Sequence, residues 1–179
     1  MIEKKTLLYC TVFVVIMATW LILFAGIYDT FHLFKFVLII SSGYIAMLFD
    51  ISQRRIPNEL VLSMLAGWLV LMVLKMVFDT QVGILILLDS ALGAVVGGGG
   101  FFIVYLISRK GLGGGDVKFM AAAGLYLGLG GTIPAILYGT VLAALTGLIL
   151  ILLKNITRKD AIPLAPFLFI GIMITVFMP

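Results

Sequence analysis

The chain has 179 residues, of which 63% are hydrophobic and only 11% charged, against roughly 25% charged in an ordinary water-soluble domain. Its formal net charge of +4 does not point to nucleic acid, because the basic residues fall in small clusters between apolar runs, as orientation signals do. A single cysteine, Cys10, and a single histidine, His32, exclude an internal disulfide and a many-thiolate zinc site and argue against a histidine-based metal site, so no cofactor or metal is expected.

Seven apolar segments succeed one another, which predicts an all-α, polytopic transmembrane helix bundle of about seven spans. The first, roughly Leu7–Tyr28, comes after Lys4 and Lys5. It is about as long as a full span and has no small-residue cleavage site, so it reads as a retained helix. His32 reads as an interfacial residue just outside a span. The second segment, roughly Leu33–Phe49, ends in the polar turn Asp50-Ile51-Ser52-Gln53-Arg54-Arg55-Ile56-Pro57-Asn58. The third is roughly Glu59–Phe78 and the fourth roughly Gly83–Ile107. Then comes the loop Gly111-Leu112-Gly113-Gly114-Gly115-Asp116-Val117-Lys118. The fifth, roughly Val117–Leu129, is short and glycine-rich, and a turn at Gly130–Thr132 leads to the sixth, roughly Ile133–Leu153. The last is roughly Ile162–Met178.

Orientation comes from counting. With the N-terminus cytoplasmic, the cytoplasmic segments hold Lys4, Lys5, Arg54, Arg55, Arg109, Lys110, Lys118, Lys154, Arg158 and Lys159, leaving only Lys35 and Lys75 of the 12 basic residues outside. The positive-inside rule therefore predicts N-terminus in and C-terminus out. Small residues are expected where helices pack closely: Gly93 with Gly97 on the fourth span, and Gly124 with Gly128 on the fifth. The run Gly97–Gly100 marks either a very close crossing or a flexible point.

An ionisable group at a membrane boundary is a functional hypothesis by default, and this orientation puts two on one side. Asp50 closes the second span and Asp116 opens the fifth, 66 positions apart in sequence. Glu3, Glu59 and Asp160 lie on that side too, where solvation explains them, while Asp29 and Asp79 lie at the opposite face. Asp89 lies within the outer half of the fourth span, where an interhelical hydrogen bond is its expected role. Paired carboxylates suit aspartic hydrolysis, in which one acid takes a proton from water and the other polarises the scissile carbonyl. Two acids sharing a site titrate as a coupled pair. The helix ends predict Asp116, at an N-terminus, as the resting base and Asp50, at a C-terminus, as the resting acid.

Gly113-Gly114-Gly115-Asp116 with Lys118 resembles the GxGDxK motif of type IV prepilin peptidases. The Asp50–Asn58 turn, with its Ile56-Pro57-Asn58, is similar to that family's other signature. Ile162-Pro163-Leu164-Ala165-Pro166-Phe167-Leu168 is similar to its closing segment, with Ala165 where glycine is usual. The resemblance runs from about Ser41 to the C-terminus. It divides the chain into residues 1–40, an extra first span and the start of the second, and residues 41–179, a peptidase-like membrane core.

The resemblance implies catalytic roles for Asp50 and Asp116, and substrate or loop roles for Gly113, Gly114, Gly115, Lys118, Pro57 and Asn58. The implied substrate is a prepilin or prepilin-like protein, its short basic leader cut from an apolar helix at the cytoplasmic face of the inner membrane. The implied surroundings are the lipid bilayer, with no nucleic acid. Lys118 is expected either to anchor near headgroups or to tune a carboxylate, and Arg54 and Arg55 to anchor topology. The cysteine-containing insertion of the bifunctional members is missing, so the expected form is the short, peptidase-only one.

The alternatives are a small transporter or channel with boundary acids, and a non-catalytic scaffold for pilus assembly. A transporter would place charge near mid-membrane and often show two related halves, and neither pattern is evident in the sequence. A presenilin-type GxGD protease would lack the Ile-Pro-Asn turn.

Overall fold

The computed structural model describes residues 2–24, 26–108, 112–154 and 162–178, with side chains from Leu8 onward. Gly111, Arg109, Lys110, Arg158, Lys159 and Asp160, and the side chains of Glu3, Lys4 and Lys5, lie outside the described residues. Backbone polar groups in an apolar environment must be satisfied within the segment, and the apolar segments are accordingly helical. They form α1 (Ile2–Phe24), α2 (Thr30–Gln53), α3 (Asn58–Phe78), α4 (Thr80–Ile107), α5 (Gly114–Leu152) and α6 (Ala165–Phe177). The helices α2 to α5 are long and apolar enough to cross a membrane, and the apolar stretch Leu8–Phe24 and α6 are shorter. Large side chains such as Leu69, Val77, Leu85 and Ile103 point outward, as expected where lipid is the solvent.

The seven expected segments appear as six helices because the fifth and sixth are joined. Within α5, Gly128 has φ 69° and ψ −177°, a conformation essentially restricted to glycine. Before it, Gly124 packs on Gly93 and Met120 on Gly97, antiparallel to α4; after it, the sense reverses, with Gly128 on Gly93 and Thr132 on Gly97. The chain therefore doubles back at Gly128, making a helical hairpin with one arm at residues 114–127 and the other at 129–152.

The expected turn at Gly130–Thr132 is instead the first turn of the second arm. What sets the reversal earlier is Asp89 on α4. Its Oδ1 accepts the Leu129 N–H at 3.0 Å, and its carboxylate occupies the space that a Cβ on Gly128 would need. Thr132 Oγ1 then donates to the Gly128 carbonyl at 2.6 Å. The first arm is enclosed, with Phe119, Met120, Ala123 and Tyr126 buried, and Tyr126 Oη donates to the Met64 carbonyl of α3 at 2.6 Å.

The glycine run resolves into a close crossing. A Cβ on Gly98 would stand 2.7 Å from the Ala121 Cβ, whereas one on Gly99 or Gly100 would meet nothing within 4 Å. Gly99→Ala is therefore expected to stabilise the protein by about 0.5–1 kcal/mol through helix propensity, and Gly98→Ala to destabilise it. Thermal unfolding of both variants in one detergent checks this. A Gly98→Ala protein as stable as the wild type would remove the close crossing.

The last helix fits a second glycine contact: a Cβ on Gly139 would stand 3.0 Å from both the Leu168 Cα and the Phe167 carbonyl oxygen. The first helix joins through aromatics. Trp20, fully buried, stacks on Phe24 and meets Phe36 of α2 edge-on, while Tyr44 Oη donates to the Tyr9 carbonyl at 2.8 Å.

Candidate active site

Asp50 stands in the last turn of α2, and the segment after that helix is built to turn back. Arg54 caps the helix in the left-handed conformation, φ 52°, its N–H donating to the Asp50 carbonyl at 2.9 Å. Pro57 biases Ile56 toward extended backbone and itself caps α3 at φ −62°, ψ 141°. Ile56 is thereby brought over the glycine loop, where a Cβ on Gly115 would lie 3.2 Å from the Ile56 Cβ. That contact gives Gly115 a reason to be glycine.

On the other side, Gly113 caps α5. Asp116, in the first turn, folds back so that its Oδ2 accepts the Gly113 N–H at 3.2 Å, the acidic half of a capping box. Asp50 and Asp116 thus line one cavity of about 250 Å³ together with Arg54, Arg55, Ile56 and Gly113–Gly115. Asp50 is buried, at 6% exposure, and Asp116 is half-buried.

One expectation changes here. The Asp50 carboxylate, although carried by the C-terminal turn of α2, accepts the Ala165 N–H at 2.9 Å through Oδ2. Ala165 is the first residue of α6, so Asp50 also faces the positive end of a helix. The asymmetry argued from helix ends alone is lost, and each carboxylate has one backbone donor. Sequence reasoning missed Ala165 because the contact is made by the backbone. The available signal was Pro166, a residue favoured in the first turn of a helix. Arg54 and Arg55, expected only as topology anchors, line the cavity.

Lys118 and Asn58 form one feature. Lys118 Nζ donates to Asn58 Oδ1 at 3.0 Å, tying the start of α5 to the start of α3 rather than reaching a carboxylate. A double-mutant cycle with Asn58→Ala and Lys118→Met is expected to give a coupling of about 0.5–1 kcal/mol in unfolding free energy. Strictly additive effects would show that the bond contributes nothing. Among the described residues no group of three or more His, Cys, Asp or Glu is placed to hold a metal ion.

A helical membrane bundle whose two buried-end acids converge beside a glycine loop is matched, over residues 36–152, by the type IV leader peptidase family. The chain belongs to that family. Its relatives include the prepilin leader peptidase/N-methyltransferase of Escherichia coli (strain K12), 33% identical over 152 residues, covering 80% of this chain and 60% of that protein. The protein of the same name from Aeromonas hydrophila is 31% identical over 127 residues, covering 68% of this chain and 41% of its own length. That from Bacillus subtilis (strain 168) is 26% identical over 144 residues, covering 78% and 54%. The chain therefore spans roughly two to three fifths of the length of these relatives. No solved structure matches it.

Proposed function

We propose that the protein is a membrane-embedded aspartic endopeptidase of the GxGD type that removes the short basic leader of a prepilin or prepilin-like protein. The observation that carries this reading is the meeting of Asp50 and Asp116 at one cavity from opposite parts of the chain. A water held between the carboxylates gives a proton to the ionised one and attacks the scissile carbonyl. The protonated one donates to the carbonyl oxygen, so the pair carries one proton throughout. As the C–N bond breaks, the protonated carboxyl gives its proton to the departing amine while the ionised one takes a proton from a hydroxyl of the tetrahedral intermediate, so the pair again carries one proton.

The Ala165 and Gly113 N–H groups hold the two carboxylates in place, and the glycine loop leaves room for an extended peptide to approach backbone to backbone. The distribution of basic residues supports a reading in which this cavity lies at the cytoplasmic face of the inner membrane, with the N-terminus inside and the C-terminus outside. The substrate's apolar helix then stays in lipid while its leader remains in water. The relatives' names carry a leader peptidase activity, and the proposal extends to that activity alone.

Purified chain reconstituted in liposomes tests it. Added prepilin is expected to lose its leader, seen as a mass decrease of the pilin and a matching released peptide. Folded protein that leaves prepilins with basic leaders intact overturns the reading.

A further inference from the structure

The end of the bundle opposite the carboxylate pair has a second polar cavity, of about 400 Å³, whose lining includes His32, Lys35, Asp89, Gly130 and Thr175. It exists because the α5 hairpin stops short. The reversal at Gly128 lies beside Asp89, which stands about 13 Å along α4 from Thr80 at about 1.5 Å per residue. Above the hairpin the bundle is therefore notched.

Lys35 lines this notch and is only 7% exposed. Its Nζ lies 5.4 Å from the Phe36 ring centroid, and no hydrogen-bond acceptor reaches it among the described residues. Its stem is buried while its ammonium reaches the cavity, and an ionisable group within a membrane segment is a functional hypothesis by default. Asp89, of opposite sign, lines the same notch, but among the described residues the two form no direct ion pair. Asp89 is held elsewhere, its Oδ1 on the Leu129 N–H. A fixed cation on α2 and a fixed anion on α4 thus face one gap.

A ligand with both signs of charge satisfies both groups at once. The remaining lining, including Tyr28, Phe36, Leu127 and Val176, is largely apolar. We propose that it binds the zwitterionic headgroup of a phosphatidylethanolamine-type lipid from the leaflet opposite the carboxylate pair, with phosphate on Lys35 and ammonium on Asp89. A primary ammonium suits Asp89 because it donates hydrogen bonds, which a quaternary one does not. The proposal is independent of the peptidase reading.

Native mass spectrometry of the full chain in detergent tests it, with phosphatidylethanolamine, phosphatidylcholine and phosphatidylglycerol added in turn. The wild type is expected to retain phosphatidylethanolamine about tenfold better than either of the others. Lys35→Met and Asp89→Asn, the latter keeping an acceptor for Leu129, are each expected to lose that preference. Equal retention of the three lipids by the wild type, or undiminished preference in folded Lys35→Met, overturns the proposal. Should either variant fail to fold, photo-crosslinking of the wild type with a headgroup-labelled phosphatidylethanolamine decides. Label on residues 28–36 and 127–134 supports the site, and label spread evenly over the bundle overturns it. Displacement of the lipid by equimolar soluble glycerophosphoethanolamine overturns the lipid as the source of the headgroup.

Discussion

Asp50→Asn and Asp116→Asn are each expected to slow leader removal by about 10²- to 10⁴-fold, the range lost with a general acid or base, while both proteins stay folded. Asparagine keeps a carbonyl oxygen at each position, so the Ala165 N–H and the Gly113 N–H retain their acceptors. What disappears is the ability to exchange a proton with water and substrate. Because the two acids act as a unit, the double variant is expected to be no slower than the worse single one. Glu59→Gln, at the same end of the bundle, is expected to leave the rate unchanged. Single-turnover cleavage in liposomes, with thermal unfolding measured on each variant, gives the answer. If either folded variant cuts at near-normal rate, the two-carboxylate mechanism is wrong.

Gly128→Ala is expected to be the most damaging single methyl group that can be added to the chain. Two separate costs fall on it. The backbone conformation, φ 69° and ψ −177°, costs a residue with a side chain about 1–3 kcal/mol. The new Cβ also collides with the Asp89 carboxylate, and overpacking of this kind costs about 1–3 kcal/mol more. Against a total stability of about 5–15 kcal/mol, the expected result is a sharp fall in folded yield and in unfolding temperature. Gly130→Ala, two residues on and with open space at its Cβ, serves as the control. A Gly128→Ala protein that melts with the wild type would mean that the hairpin does not turn there.

The helical segments were legible because apolar length is a strong and local signal, and their observed ends fall within a few residues of those expected. The pairing of Asp50 with Asp116 was also legible, from charge placement and motif together. The position of the reversal was not. Gly130-Gly131-Thr132 looks like a turn, but the choice between it and Gly128 is made by Asp89, which is remote in sequence and near only in space. The same holds for Asp50, whose surroundings depend on where α6 begins. Lys35 was counted to the outer side of the membrane, and its place in the wall of the notch depends on where the hairpin ends, which the sequence does not show.

The short first arm of α5 also bears on how the protein is made. Residues 114–127 rise about 21 Å at about 1.5 Å per residue, against about 30 Å of hydrocarbon. Such a segment cannot be left in the bilayer alone, since its end would expose unpaired backbone to lipid. It enters as a pair with residues 129–152, onto a glycine face that α4 has already brought into the membrane. The Asp50 carboxylate receives its backbone donor only when Ala165 arrives with α6. A chain still emerging from the ribosome therefore carries both acids in an unfinished arrangement until its last helix has been threaded.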